Sequence, residues 1–165
     1  MLYLLDSNTL IDANRDYYPI GKVNEYWEWL EHQGKSGIVK IPQEMFEEVV
    51  KGTDALAQFL KDPAIEAALC LNEVVDVNLV RKVTEVGYAP DLTDIEVDKV
   101  GRDPFLIAYG IVDLAGRTVV TTEKSKPKSQ RANRKIPDVC AAFSVPCCHS
   151  FVFNKALNFR TNWKS

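Results

Sequence analysis

Leu2-Tyr3-Leu4-Leu5-Asp6-Ser7-Asn8 is the stretch whose reading decides the fold. Four apolar residues in succession are the pattern of a strand buried on both faces in a parallel sheet. Asp6, Ser7 and Asn8 break the run with residues that favour turns and helix caps, so the strand ends at Asp6. A carboxylate at the end of a buried strand has to meet a hydrogen-bond donor, a cation or water, because an isolated charge is costly to bury.

Working outward, Val23, Tyr26, Trp27 and Leu30 fall at helical spacing after Ile20, with Glu25, Glu28 and Glu31 between them, until Gly34 closes the segment. Gly37 introduces a second short strand, Ile38-Val39-Lys40-Ile41. Pro42 then stands where a helix begins, with Met45, Phe46, Val49 and Val50 as its buried stripe before Gly52. Residues 53–98 read as a mostly helical middle segment punctuated by Pro63 and by the stretch from Gly87 to Pro90. Asp103 and Pro104 open the next helix as N-cap and first helical residue, and Phe105, Leu106, Ala108, Tyr109 and Val112 supply an apolar face that ends at Gly116. Thr118-Val119-Val120-Thr121 is β-branched throughout and suits a central strand. A polar, basic loop from Lys124 to Lys135 precedes a short helix led by Ile136-Pro137-Asp138, and Val145 to Val152 reads as the last strand. Short buried strands alternating with helices predict an α/β layer fold with a mainly parallel sheet.

A chain of 165 residues with 46% hydrophobic content has material for one substantial core, so a single domain over residues 1–165 is expected. No run approaches the roughly 20 apolar residues that span a bilayer. The opening residues carry neither a basic leader nor a small-residue cleavage site, and a cytoplasmic location without membrane contact is expected. Cys70, Cys140, Cys147 and Cys148 read as reduced thiols. A zinc site built from Cys140, Cys147, Cys148 and His149 lacks the two-residue spacing that lets both thiolates of a knuckle grip one ion. The net charge of -3 argues against a protein that coats nucleic acid generally. It is compatible with an enzyme that grips a phosphodiester through metal ions, since divalent ions reverse the field of the acids that hold them.

In open parallel sheets, sites form beyond the carboxyl ends of the strands. Asp6 directly follows strand one, and Glu123 follows the Thr118–Thr121 strand after one residue. Asp103 and Asp138 stand at helix starts, where each is either a site residue or a cap worth ~1 kcal/mol. Glu48 lies about one and a half turns into the helix after strand two. Asn8 reads as a metal or substrate ligand or as a cap, and Ser7 and Thr121 as groups that hold a carboxylate or a phosphate, or as turn and strand residues. Carboxylates that converge without a cation repel one another and raise each other's pKa values. Hard oxygen ligands select Mg²⁺ or Mn²⁺, whose chemistry needs no histidine. His32 and His149 are the two in the chain, and both read as structural.

These residues resemble PIN-domain nucleases, especially the small bacterial kind that act as toxins in toxin–antitoxin pairs. The opening strand with its acid and polar residue is Leu4-Leu5-Asp6-Ser7-Asn8. The helix with a buried acid followed four positions on by glycine is IPQEMFEEVVKG, which selects Glu48 ahead of Glu44 or Glu47. An aspartate opening an alanine-containing helix is DPFLIAYG, selecting Asp103. A strand ending in threonine and then an acid is VVTTEK, selecting Glu123. Many members carry another aspartate within a few residues, whereas here Lys124 to Lys135 intervenes before IPDVC offers Asp138.

The resemblance implies a three-layer α/β/α sandwich and hydrolytic cleavage of RNA with Mg²⁺ or Mn²⁺. It implies Asp6, Glu48, Asp103 and Glu123 as the catalytic acids and metal ligands, with Asp138 completing the set. Asn8 and Thr121 would orient the acids or contact phosphate. The basic run of Lys124, Lys126, Lys128, Arg131, Arg134 and Lys135 is a solvated loop or, beside the site, a holder of substrate phosphates. An antitoxin protein is the expected partner, and the tail aromatics Phe153, Phe159 and Trp163 with Leu157 either dock that partner, dock a second subunit in a homodimer, or pack on the chain's own core. Competing readings are a catalytically inactive interaction module of the same fold, a DNA-directed nuclease and a phosphatase.

Overall fold

The computed structural model describes residues 1–165. Strand β1 (Leu2–Leu5) runs into helix α1 (Ser7–Asp12), which widens into a π-type turn at Ala13–Tyr17. Helix α2 (Asn24–Lys35), strand β2 (Val39–Lys40) and helix α3 (Gln43–Val50) follow. The middle segment is helical as expected: α4 (Ala55–Leu60), α5 (Pro63–Leu69), α6 (Val77–Lys82), a second π-type turn at Val83–Tyr88, and α7 (Asp94–Val100). Helix α8 (Asp103–Ile111) leads into β3 (Arg117–Thr121), a 3₁₀ turn at Arg131–Asn133, α9 (Ile136–Ala142), β4 (Cys147–His149) and α10 (Ser150–Ala156).

The four strands are all parallel and lie in the order β2-β1-β3-β4, with Leu5 beside Val120 and Val120 beside Cys148. An isolated bridge between Ile41 and Cys70 extends the β2 edge, a pairing that the sequence did not announce. Successive side chains of a strand face opposite ways, so β1 is covered on both sides. On one face the Tyr3 ring meets Phe153 of α10 at 5.2 Å, and Trp29 of α2 meets the same ring at 5.7 Å. On the other face, Gly110 of α8 lies against Val119 and Val145. This is a three-layer α/β/α sandwich around one connected core.

The order creates a switch point. From β1 the chain crosses to β2 on one side of the sheet, and from β3 it crosses to β4 on the other. The crevice beyond the carboxyl ends of β1 and β3 is therefore left open between diverging connections, which is where open α/β sheets place ligands.

Four local expectations are corrected. The last strand does not run from Val145 to Val152 but covers Cys147–His149, and Ser150 begins a helix because the His149 ring accepts the backbone N–H of Phe151 and caps it. Asp103 is the first residue of α8 and not its cap, a place taken by Arg102 without a side-chain cap bond. Asp138 lies in the first turn of α9, where Lys135 holds the cap position. The face begun at Phe105 stops being helical at Ile111, well before Gly116. Gly101, at φ 56°, lets the chain reverse out of α7 so that α8 starts at the rim of the sheet. The tail turns inward: Phe153 is fully buried, and Leu157, Phe159 and Trp163 pack against the core. No helix is long and apolar enough to cross a membrane.

The approach of α8 to the sheet rests on the missing side chain at Gly110, where a Cβ would fall 2.6 Å from Val145 Cγ1 and 3.3 Å from Val119 Cγ2. Gly110→Ala is expected to lose about 1–3 kcal/mol in urea unfolding by overpacking this contact. An unchanged midpoint would show that α8 has room to shift.

Candidate metal centre

Asp6 stands at the point where β1 gives way to α1 and is 1% exposed. Its Oδ2 accepts the Thr121 hydroxyl at 2.9 Å, so the end of β1 is tied to the end of β3. Thr121 Oγ1 in turn accepts the backbone N–H of Glu123 at 3.1 Å, which turns the chain after β3 so that Glu123 returns over the crevice. Ser7 donates to Glu48 Oε2 at 3.0 Å and lies 3.4 Å from Asp6 Oδ1, linking α3 to the same corner. On the far side, the Tyr88 hydroxyl reaches Asp103 Oδ2 in a long 3.4 Å contact.

The charges of Asp6, Glu48, Asp103 and Glu123 act on one another. Burial raises Asp6 to about 6, with Glu123 and Glu48 adding to the rise while the Thr121 hydroxyl and the Asn8 backbone oppose it. Asp103 is raised to about 8, first by burial and then by Asp6 and Glu123, with a smaller push from Glu48. The four acids expected from sequence are thus brought into one electrostatic cluster at the switch point. The ambiguity on α3 resolves by partner: Glu47 pairs with Arg102 at 3.2 Å and accepts from Gln43, Glu44 turns toward Tyr109, and Glu48 takes Ser7. Glu48 is nevertheless exposed at the rim, not buried as the resemblance implied.

Asp138 stands apart. One of its oxygens accepts the Ser125 hydroxyl and the other accepts the Lys126 backbone N–H at 2.7 Å, so it pins the basic loop to α9. Asn8 presents an exposed side chain, and its backbone is the part that acts on Asp6. Lys124 and Lys126 part company: Lys124 lines a recess with Asp12, Thr122 and His149, whereas Lys126 faces a groove on the other side of the loop.

Ser7 takes the carboxylate-holding role that its hydroxyl offered and bridges two acids. Two participants escaped the sequence reading in their present roles: Tyr88 approaches Asp103 from the end of a π-type turn, and Lys135 pairs with Glu123 Oε1 at 2.7 Å while Ile136 N–H donates to Oε2. π-type turns recur at functional sites, but nothing in Val83–Tyr88 distinguishes that turn from an ordinary helix end.

A family model described as a domain of unknown function, DUF4411, matches residues 3–161. The chain belongs to that family. The match takes in every acid of the cluster. A search of curated proteins returns no match.

The acid set of this DUF4411 chain fits a hard divalent cation by its donor chemistry, since carboxylate oxygens are hard ligands, and burial together with the neighbouring acids holds Asp6 and Asp103 above the usual carboxylate range. No three His, Cys, Asp or Glu side chains form a ready-made cage. A cation here would rest on one or two carboxylates and keep several waters, which is how Mg²⁺ is usually held. Residues that would hold it are Asp6 and Asp103 at the floor, with Glu48 and Glu123 at the rim.

Both raised carboxyls bind protons more tightly in the folded chain than in the unfolded one. Unfolding therefore releases protons between about pH 4 and pH 8, and stability falls as pH rises through that window. In metal-free buffer, Tm is expected to drop from pH 5 to pH 8, and to drop less in Asp103→Asn. An equal drop in both proteins would show that Asp103 carries none of this strain.

Proposed function

We propose that the protein is a Mg²⁺- or Mn²⁺-dependent endoribonuclease hydrolysing phosphodiester bonds, and that it serves as the toxin of a toxin–antitoxin pair. The observation that carries the catalytic reading is the cluster of Asp6, Glu48, Asp103 and Glu123 at the open end of β1 and β3, with Asp6 and Asp103 raised first by burial and then by neighbouring acids, Glu123 and Glu48 acting on both and Asp6 on Asp103. The toxin role rests on the resemblance to small bacterial PIN-domain nucleases.

A bound divalent ion supplies activation of a water for in-line attack on phosphorus and stabilisation of the departing oxygen. The chain's own residues set the stage for that chemistry. Thr121 fixes the Asp6 carboxylate, and Ser7 fixes Glu48 beside it. Asp103 has its proton to give up when a cation arrives, since at pH 7 a carboxyl at about 8 is mostly protonated. Lys135 holds Glu123 and places a cation at the edge where a phosphate would approach. The side chains around the acids offer no paired nucleophile and base of the serine or cysteine type, and the His149 ring is engaged in capping α10.

Purified protein incubated with total RNA is expected to cut it in Mg²⁺ or Mn²⁺ and not in EDTA. Asp6→Asn is expected to slow cleavage at least 100-fold, by removal of a ligand whose charge acts in the transition state. Cleavage that survives both Asp6→Asn and Asp103→Asn, or cleavage of DNA or a small phosphate ester in preference to RNA, would overturn the ribonuclease assignment. The toxin role requires growth arrest on expression that Asp6→Asn abolishes and a neighbouring gene product relieves.

A further inference from the structure

The basic loop is not a free strand of solvated charge. Asp138 pins it through Ser125 and Lys126, and Arg131, at φ 52°, is locked to Asp91 and Glu96 at 2.7 Å each. Lys99 of α7 donates to Asn133 Oδ1 at 2.6 Å and closes the far wall. The result is an open groove of about 690 Å³ between α7 and the loop, lined by no hydrophobic side chain. Lys126 and Lys128 face it without any ion pair, and Lys99 is bonded there only to a neutral amide, so three uncompensated cations surround one opening in a protein of net charge -3. Lys135 lines the same groove and also pairs with Glu123, which makes the groove continuous with the acid cluster.

We infer that this groove holds successive phosphates of a single nucleic-acid strand and feeds that strand toward Glu123. The inference rests on the nuclease reading and adds how the substrate is gripped. Ammonium groups neutralise phosphates as point charges, and the groove has no aromatic platform on which a base can stack. Recognition there is of the backbone and is indifferent to base identity. Lys99, Lys126, Lys128 and Lys135 line one opening, a single track of positive charge that suits one phosphate backbone.

The test is fluorescence anisotropy with labelled oligouridylate and oligoadenylate in EDTA, where cleavage does not intervene. Both are expected to bind about equally, with affinity falling steeply between about 50 and 200 mM salt. Lys126→Ala with Lys128→Ala is expected to weaken binding about tenfold and to reduce the salt slope by about 1.4, at roughly 0.7 per phosphate contact on a single strand. Lys22→Ala with Lys82→Ala, which removes equal charge elsewhere, is expected to leave both unchanged. Equal losses in the two double variants, a strong preference for one base, or equal displacement by an acidic peptide of the same charge would overturn the inference. Binding as expected in a protein that cuts no RNA would remove the nuclease reading and leave the groove, whereas normal cutting and binding by the Lys126/Lys128 variant would remove the groove alone.

Discussion

The hydrogen bond from Thr121 to Asp6 joins the two strands whose connections part company, and the site depends on it. Asp6 cannot move outward, because Leu5 before it is fully buried and pairs with Val120 in the centre of the sheet. Its carboxylate therefore stays where water is scarce, and the polar groups able to reach it are those that the neighbouring chain ends supply. Thr121 supplies one and Ser7 another, and each brings a further acid with it: Thr121 turns Glu123 inward, and Ser7 holds Glu48. A sheet of four parallel strands with its switch between β1 and β3 concentrates negative charge in this way as a result of topology, and a divalent cation is the simplest means of relieving it.

Surface charge complements that arrangement. The acids converge at one end of the sheet, while the lysines of the loop after β3 are held beside them by Asp138 and by the Arg131 ion pairs. Exposed pairs of this kind contribute little to stability, on the order of 1 kcal/mol or less. Their effect is positional, since they keep a polar segment in one place next to the catalytic candidates. Lys135 belongs to both regions, at the end of the loop and on the Glu123 carboxylate.

Much of this was legible in the sequence, and for identifiable reasons. The apolar run of β1 and the β-branched run of β3 announce buried parallel strands, and an acid after each can be read without coordinates. Asp103 is found the same way, by Pro104 marking a helix start, although its role as cap was wrong by one position because Arg102 precedes it at the reversal made by Gly101. Asp138 has the same local signature as Asp103, and sequence cannot separate them: only the fold shows one turned toward Asp6 and the other bonded to its own loop. Glu44, Glu47 and Glu48 are equally acidic neighbours, and partners from distant segments, Tyr109, Arg102 and Ser7, distinguish them. The strand expected to reach Val152 ended at His149 since apolar residues there serve a helix face as well as they would a strand. Tyr88 had no signal at all, because its approach to Asp103 depends on a widened turn.

Calorimetric titration of the metal-free protein with Mn²⁺ at pH 7, repeated in buffers of different ionisation enthalpy, tests the proposed centre most directly. The protonation of Asp103 predicts binding that releases about one proton per ion, and no binding to Asp6→Asn with Asp103→Asn. Absence of binding to the wild type, or identical binding to the double variant, would contradict it.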